Sequence, residues 1–583
     1  MSGYTIRSRR RLLRALAASS VVSLAGCNSS QDASSTTSKK TSATATTTNS
    51  ETSSVSTPVD EKPPKIEEYS ATPRDGGRVL EVSMTVTDNR ELASADITYG
   101  DRTITKQLTG DDARIEERLT DLPRTSSADQ PIVQYRVRDV AGNNTEATVR
   151  LDATPPSLSV KSRTPPSAGK LHLAIEGEDT AGLHRLRVQV VGETVLQQSV
   201  SGEPTVSTEP TVAVTDSDGA TVGEPNRVTV TLTDAMGNRT RKTIEQYVRK
   251  YDKMENPRLN LGGLYLSQAG GALTNNLSDE VDTEPAIGIY DSPIPPEITS
   301  RHIDQMTGFG FTHVAYDYGD QRPWAEAFLK SDLANQIDIL PTYIKSIFDR
   351  NIDKSWKDAV LPRTLSFLRE RFLSRDNAVT IDGRPVLDTW NWRVLAVKEE
   401  KRRKLLDEFG SFEGFADAVR EMARTERGDP YVLFGIGAAG PYLDHEDLAP
   451  LRELAQQFDA LTTWFHGTRG GWDAVLERAE ADFEACRAFA REHDMEFIPL
   501  ARPGYDERWD TGDYRTTDRY LPRDPKRFRQ LLELADQYRT TERVFVPYND
   551  WIEGHTIEPG TFTGTEYGTK YLEVVKEFQQ SNT

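Results

Sequence analysis

The chain has only two cysteines among its 583 residues, Cys27 and Cys486, which excludes a disulfide framework and a thiolate metal site. It is also short of basic charge. Lys plus Arg total 71 against 90 Asp plus Glu, a formal charge of −19. That balance disfavours nucleic acid as a partner and suits a protein kept soluble in very high salt, where repulsion is screened. The one apolar run near the N-terminus, from Ala15 to Ala25, is too short to span a bilayer comfortably. His466 and His555 have neither H-x-x-x-H spacing nor a carboxylate facial triad beside them, so no metal and no cofactor is expected.

What is present falls into blocks. Ser8-Arg9-Arg10-Arg11-Leu12-Leu13 resembles a twin-arginine export signal, and Leu24-Ala25-Gly26-Cys27 resembles a lipoprotein cleavage box in which Cys27 takes the lipid. The expected protein is therefore exported, sits on the outer face of the membrane through that anchor, and acts as a monomer. Residues 1–27 are the signal, and residues 28–61 are a Ser/Thr-rich stalk unable to bury enough apolar surface to fold. Short runs of period-two alternation then predict strands, as in Val79-Leu80-Glu81-Val82-Ser83-Met84. They come in a repeat, since Asp139-Val140-Ala141-Gly142-Asn143-Asn144-Thr145 returns as Asp234-Ala235-Met236-Gly237-Asn238-Arg239-Thr240. Two immunoglobulin-like domains are predicted, 62–153 and 154–250. The Gly-Asn pairs read as hairpin turns, with a calcium site at Asp88 or Asp179 the lesser option.

From about Pro257 strands alternate with amphipathic helices, the pattern of a parallel α/β sheet. Strands are predicted at 286–290, 312–316, 338–343, 385–389, 431–436, 460–464, 497–501 and 544–548, which makes residues 251–583 a (β/α)8 TIM barrel. In such barrels chemistry gathers past the C-terminal strand ends. Read there, the candidates for substrate binding are Tyr290, Asp291, Asp317, Trp390, His466, Tyr505, Asn549, Trp551 and His555. Aromatic and charged side chains in that arrangement suit a glycan cleft. Cys486 is expected in a helix as an ordinary core residue.

The last strand exit holds two acids, Asp550 and Glu553, in Asn549-Asp550-Trp551-Ile552-Glu553-Gly554, followed by Glu558-Pro559. With Ile287-Gly288-Ile289-Tyr290-Asp291, Asp382-Gly383-Arg384-Pro385 and Pro503-Gly504-Tyr505-Asp506, this segment resembles the endo-α-mannosidases of glycoside hydrolase family 99 and the related WbsX-like proteins. The resemblance implies retaining cleavage of internal α-mannosidic or similar bonds in a polysaccharide or glycoprotein glycan. It implies Glu553 as general acid and then base, and Asp550 as the base that deprotonates the neighbouring 2-hydroxyl. That family usually has Glu where this chain has Asp550, and a carboxylate shortened by roughly 1.5 Å can slow a reaction on the order of a hundredfold. The departure keeps two alternatives open: a glycan-assembly or transglycosylating enzyme, and a non-catalytic glycan-binding surface protein. Glu558 is left between substrate contact and loop anchor.

Overall fold

The computed structural model describes residues 60–122, 131–200, 202–216, 220–266, 283–318, 322–343, 346–437, 443, 445–464, 467–506 and 519–581. The export signal, Cys27, almost all of the stalk and His466 lie outside them. Residues Glu61–Thr583 form one compact unit.

The alternating runs form antiparallel strands. Val79–Thr87 lies between Lys65–Arg74 and Asp112–Leu119, while Leu92–Tyr99 and Ile132–Asp139 form the centre of a four-stranded sheet. Leu80, Val82, Met84 and Val86 face Ile97, Val133, Tyr135 and Val137 in a shared core. A second such group runs from Ser157 to Tyr247, with Leu173, Ile175, Leu186, Val188, Val230 and Leu232 inside. The repeated motif is a turn in both groups. Asp139 accepts from the backbone and side-chain amides of Asn143, and Asp234 does the same for Asn238, all at 2.8 Å. Gly142 and Gly237 take φ of 91° and 88°. In the second group the carboxylates of Asp152, Asp179 and Asp234 converge within 4.8 Å of one another.

Eight parallel strands make the barrel: β1 (Asn260–Leu266), β2 (Phe311–Tyr318), β3 (Asp338–Tyr343), β4 (Arg384–Thr389), β5 (Tyr431–Gly435), β6 (Ala460–Thr462), β7 (Glu496–Ile498) and β8 (Arg543–Pro547). The order is β7-β6-β5-β4-β3-β2-β1-β8. A parallel bridge between Leu500 and Phe545 brings β7 back to β8. Two of the intervening helices have side-chain caps: Ser411 caps Phe412–Ala423 by accepting from Gly414 N, and Asp524 caps Pro525–Tyr538 through Lys526 N and Arg527 N.

One strand is placed differently. Residues 286–290 are not in the barrel wall; Glu284–Pro285 pair antiparallel with Gly560–Phe562, and the chain beyond them is a loop with Gly288 at φ 85°. The first barrel strand is β1, paired in parallel with both β2 and β8. Its sequence, Asn260-Leu261-Gly262-Gly263-Leu264-Tyr265-Leu266, is not among the predicted strands, and its two glycines weaken the strand pattern. The glycines admit neighbours: a Cβ on Gly262 would meet His313 and lie 2.6 Å from Phe545 Cδ1. Gly262→Ala should therefore lower stability by about 1–3 kcal/mol, as overpacking of a closed core does, and a denaturant midpoint equal to that of the parent would refute this packing account.

The second strand group docks on the barrel through a buried ion pair. Arg249 Nε lies 3.2 Å from Asp304 Oδ1, with side chains 0% and 1% exposed. Tyr247 Oη donates to Asp304 Oδ2 at 3.1 Å, and Lys250 N donates to the same oxygen at 2.6 Å. Asp304 sits on α1 (Pro296–Gly308), the helix that follows the loop of Tyr290.

Candidate active site

The end of β8 is locked before it reaches the two acids. Asn549, fully buried, accepts from Leu266 N at 2.7 Å and donates to Leu266 O at 3.2 Å, stitching the exit of β8 to that of β1. Asp550 Oδ1 accepts from Glu553 N at 3.0 Å, which curls the chain into a tight loop. Gly554 closes it at φ 65°, where a Cβ would lie 2.8 Å from Asp506 N, so only glycine fits. Arg523 holds the far side by donating to Gly554 O at 2.9 Å and to Thr556 O.

The acids differ in environment. The Asp550 side chain is 2% exposed, while that of Glu553 is 28% exposed. Oxygens of the two carboxylates and a ring nitrogen of His555 all lie within 4.8 Å of one another. That spacing would admit a cation. His555 Nε2, however, lies 3.3 Å from Arg502 Nη1, a group that only donates. The ring hydrogen is then on Nδ1, the nitrogen facing the acids, and this set as it stands is unsuited to a metal.

Behind the loop lies a buried network centred on Glu558, which is 0% exposed. Its Oε2 accepts from Tyr290 Oη and Trp551 Nε1, both at 2.8 Å, and its Oε1 lies 3.0 Å from His302 Nε2. His302 Nδ1 in turn shares a hydrogen bond of 2.9 Å with Tyr265 Oη. Glu558 is thus the anchor of the loop. Tyr290 and Trp551 are spoken for by it, and Trp551 is itself fully buried against Phe562, so neither ring offers a free face.

Asp317, Trp390 and Tyr505 gather at the barrel mouth, and Asp291 is exposed beyond it. Asp317, Thr342, Asp388, Trp390 and Trp464 line a small, partly open cavity. The Trp390 and Trp464 rings lie 4.4 Å apart, and Trp464 is 5.6 Å from the His555 ring, which links the cavity to the acid pair. Asp388, Arg502 and Arg523 carry no site role in the sequence reading. Arg502 stands four residues past β7, on the side where chemistry gathers, and Asp388 is an acid directly after the apolar run Pro385-Val386-Leu387.

Burial pushes the Asp317 carboxyl up to about 7, Arg350 pulling it down and Asp388 adding to the rise. Burial does the same to Asp388, also to about 7, against a hydrogen bond of 3.0 Å from Thr342 Oγ1. Both values exceed that of an unfolded carboxyl, so the folded chain holds more protons between about pH 4 and pH 7. The contribution to stability is therefore greatest below that window and is lost as pH rises through 7. Asp388→Asn escapes the loss, and its stability relative to the parent should rise by on the order of 4 kcal/mol between pH 4 and pH 8. Thermal melts at the two pH values test this, and an unchanged difference would contradict it.

No family model and no curated protein matches the chain. Among solved structures, it is similar to the GH99 endo-alpha-mannosidase from Bacteroides thetaiotaomicron in complex with BIS-TRIS-Propane, at 16% identity and a TM-score of 0.42, over 56% of this chain and 98% of that one. A glycoside hydrolase-like protein matches at 16% identity and a TM-score of 0.41, over 57% of this chain and 96% of the other. The beta-D-glucuronidase of Dictyoglomus thermophilum matches at 8% identity and a TM-score of 0.33, over 90% of this chain and 99% of the other. The barrel assignment stands on the strand pairing.

Proposed function

We propose that the protein is a retaining glycoside hydrolase that cuts internal α-mannosidic or similar bonds of a glycan outside the cell. The observation that carries this is the pair Asp550 and Glu553, with oxygens within 4.8 Å of each other at the C-terminal end of β8. Inverting enzymes need a wider gap between their carboxyl groups, to seat a water, than retaining ones do.

Glu553, the more exposed acid, gives its proton to the glycosidic oxygen as the bond to the anomeric carbon breaks. Asp550 takes the proton of the neighbouring 2-hydroxyl, whose oxygen closes on the anomeric carbon to give a 1,2-anhydro sugar. Glu553, now ionised, deprotonates a water that opens that ring, and Asp550 returns its proton to the 2-oxygen. Two inversions at one carbon leave its configuration retained. The N-terminal signal supports export with Cys27 as the lipid anchor, and the two strand groups fit immunoglobulin-like spacers between anchor and barrel.

The test is incubation of the chain beyond Cys27 with a panel of α-mannans and cell-surface glycans in molar salt, following the first anomer released by proton NMR. Shortened chains with a retained α-anomer are expected. A β-anomer formed first, or no shortening of any glycan, would overturn the reading.

A further inference from the structure

His555 lies two residues past Glu553 and is completely buried. Its surroundings dictate where its hydrogen sits. A guanidinium has no acceptor, so the contact of 3.3 Å between Arg502 Nη1 and His555 Nε2 is donated by arginine and accepted by the ring. Arg502 is itself buried and held in place, donating through Nη2 to Gly467 O at 2.6 Å and lying 5.4 Å from the centre of the Tyr505 ring. Burial lowers its pKa to about 10, so it remains a cation at neutrality. Burial, followed by the charges of Arg502 and Arg523, holds the His555 ring well below the ordinary histidine range, and the ring is neutral.

A neutral ring that accepts at Nε2 carries its hydrogen on Nδ1. Among the described residues that atom has no hydrogen-bond partner. It is 3.6 Å from Asp550 Oδ2 and 3.8 Å from Glu553 Oε2, nearly equidistant from the two. Trp464 and Tyr505 wall the ring at 5.6 and 4.9 Å between centres, while Asp506 N donates to Glu553 O at 3.0 Å.

We propose that His555 is a positioning residue for the carboxylate pair, a neutral imidazole locked by Arg502 whose single Nδ1–H is given to whichever of Asp550 and Glu553 is ionised. The proposal rests on the reading of that pair as base and acid. In the first half of the reaction Glu553 loses its proton and Asp550 gains one, so the negative charge changes sides. A donor shared between them follows the charge, and a hydrogen bond to an ionised carboxylate favours that form. Neutrality is essential here. An imidazolium in this position would hold both acids ionised and leave no proton for the glycosidic oxygen, and burial, seconded by the Arg502 and Arg523 cations, is what prevents it.

Two readouts need no substrate, so they separate this proposal from the glycosidase reading. In nitrogen-15 NMR of the histidine-labelled protein, the resonances absent from His555→Phe should show a ring protonated at Nδ1, bare at Nε2 and unchanged from pH 5 to pH 8. In carbon-13 NMR of the carboxyls, titration of the Asp550 and Glu553 pair should move up by about one pH unit in His555→Phe. It should return toward the parent in His555→Asn, whose amide N–H can replace Nδ1–H. A hydrogen on Nε2, a ring that titrates in this range, or a carboxyl titration indifferent to both substitutions would overturn the proposal. Where the Phe variant does not fold, the ring signals of the parent, assigned with His555→Asn, decide it.

Discussion

Replacing Glu553 by Gln should lower kcat/KM on a cleaved glycan by about two to four orders of magnitude, the span that a general acid contributes, while glycan binding stays near that of the parent. Gln keeps the size of the side chain and removes its proton. Closure of the loop uses Glu553 backbone N and O, bonded to Asp550 Oδ1 and Asp506 N, and Gln leaves both in place. Loss of turnover would thus report chemistry and not collapse. Substrates with a good leaving group, which need little protonation, should lose far less. Turnover undiminished in Glu553→Gln would remove this residue from the mechanism. Asp550→Glu completes the experiment: a carboxylate one methylene longer reaches about 1.5 Å further, and equal or higher activity would show that the pair tolerates either reach.

Glu558→Ala should be the most damaging substitution for the fold of the site. It strips the acceptor from Tyr290 Oη, Trp551 Nε1 and His302 Nε2 in a place with no access to solvent. Removing one side of a buried charged network costs about 3–5 kcal/mol, since the remaining donors stay desolvated and unpaired. The denaturant midpoint should fall accordingly. Glu558→Gln, which keeps one acceptor oxygen, should fall less. Activity should drop in both, because the segment anchored by Glu558 is the one that presents Glu553. An Ala variant as stable as its parent would mean that the network does not hold the loop.

How far these features can be read in the sequence depends on the range of the interaction behind them. Val544-Phe545-Val546 and Tyr431-Val432-Leu433 announce strands because local apolar runs ending at turn residues suffice. Gly262-Gly263 hides β1, because the need for glycine comes from His313 and Phe545 at the first position and from Met306 at the second, which only the folded barrel brings near. The acid pair is legible since its members are three residues apart at a strand exit. Glu558 is not assignable in the same way. Its partners Tyr290 and His302 are 268 and 256 residues away, and nothing local separates an acid that meets sugar from one that ties down a loop. Trp551 poses the same difficulty, since an aromatic past a strand end can face the cleft or plug the turn beneath it. Asp388 is hidden at the end of an apolar run; only the register that sets it beside Thr342 on β3 reveals a cavity wall.

The clamp of Arg249 and Asp304 has a mechanical consequence. A joint made of a solvent-free ion pair, bonded further through Tyr247 and the backbone of Lys250, cannot swivel without stranding buried charge. The barrel and the strand group before it must then turn as one lever arm, and the direction in which the cleft points is fixed relative to residues 157–247. A pull on that arm as a whole would load Asp304 on α1, the helix whose His302 also holds Glu558 and through it the loop of the acids.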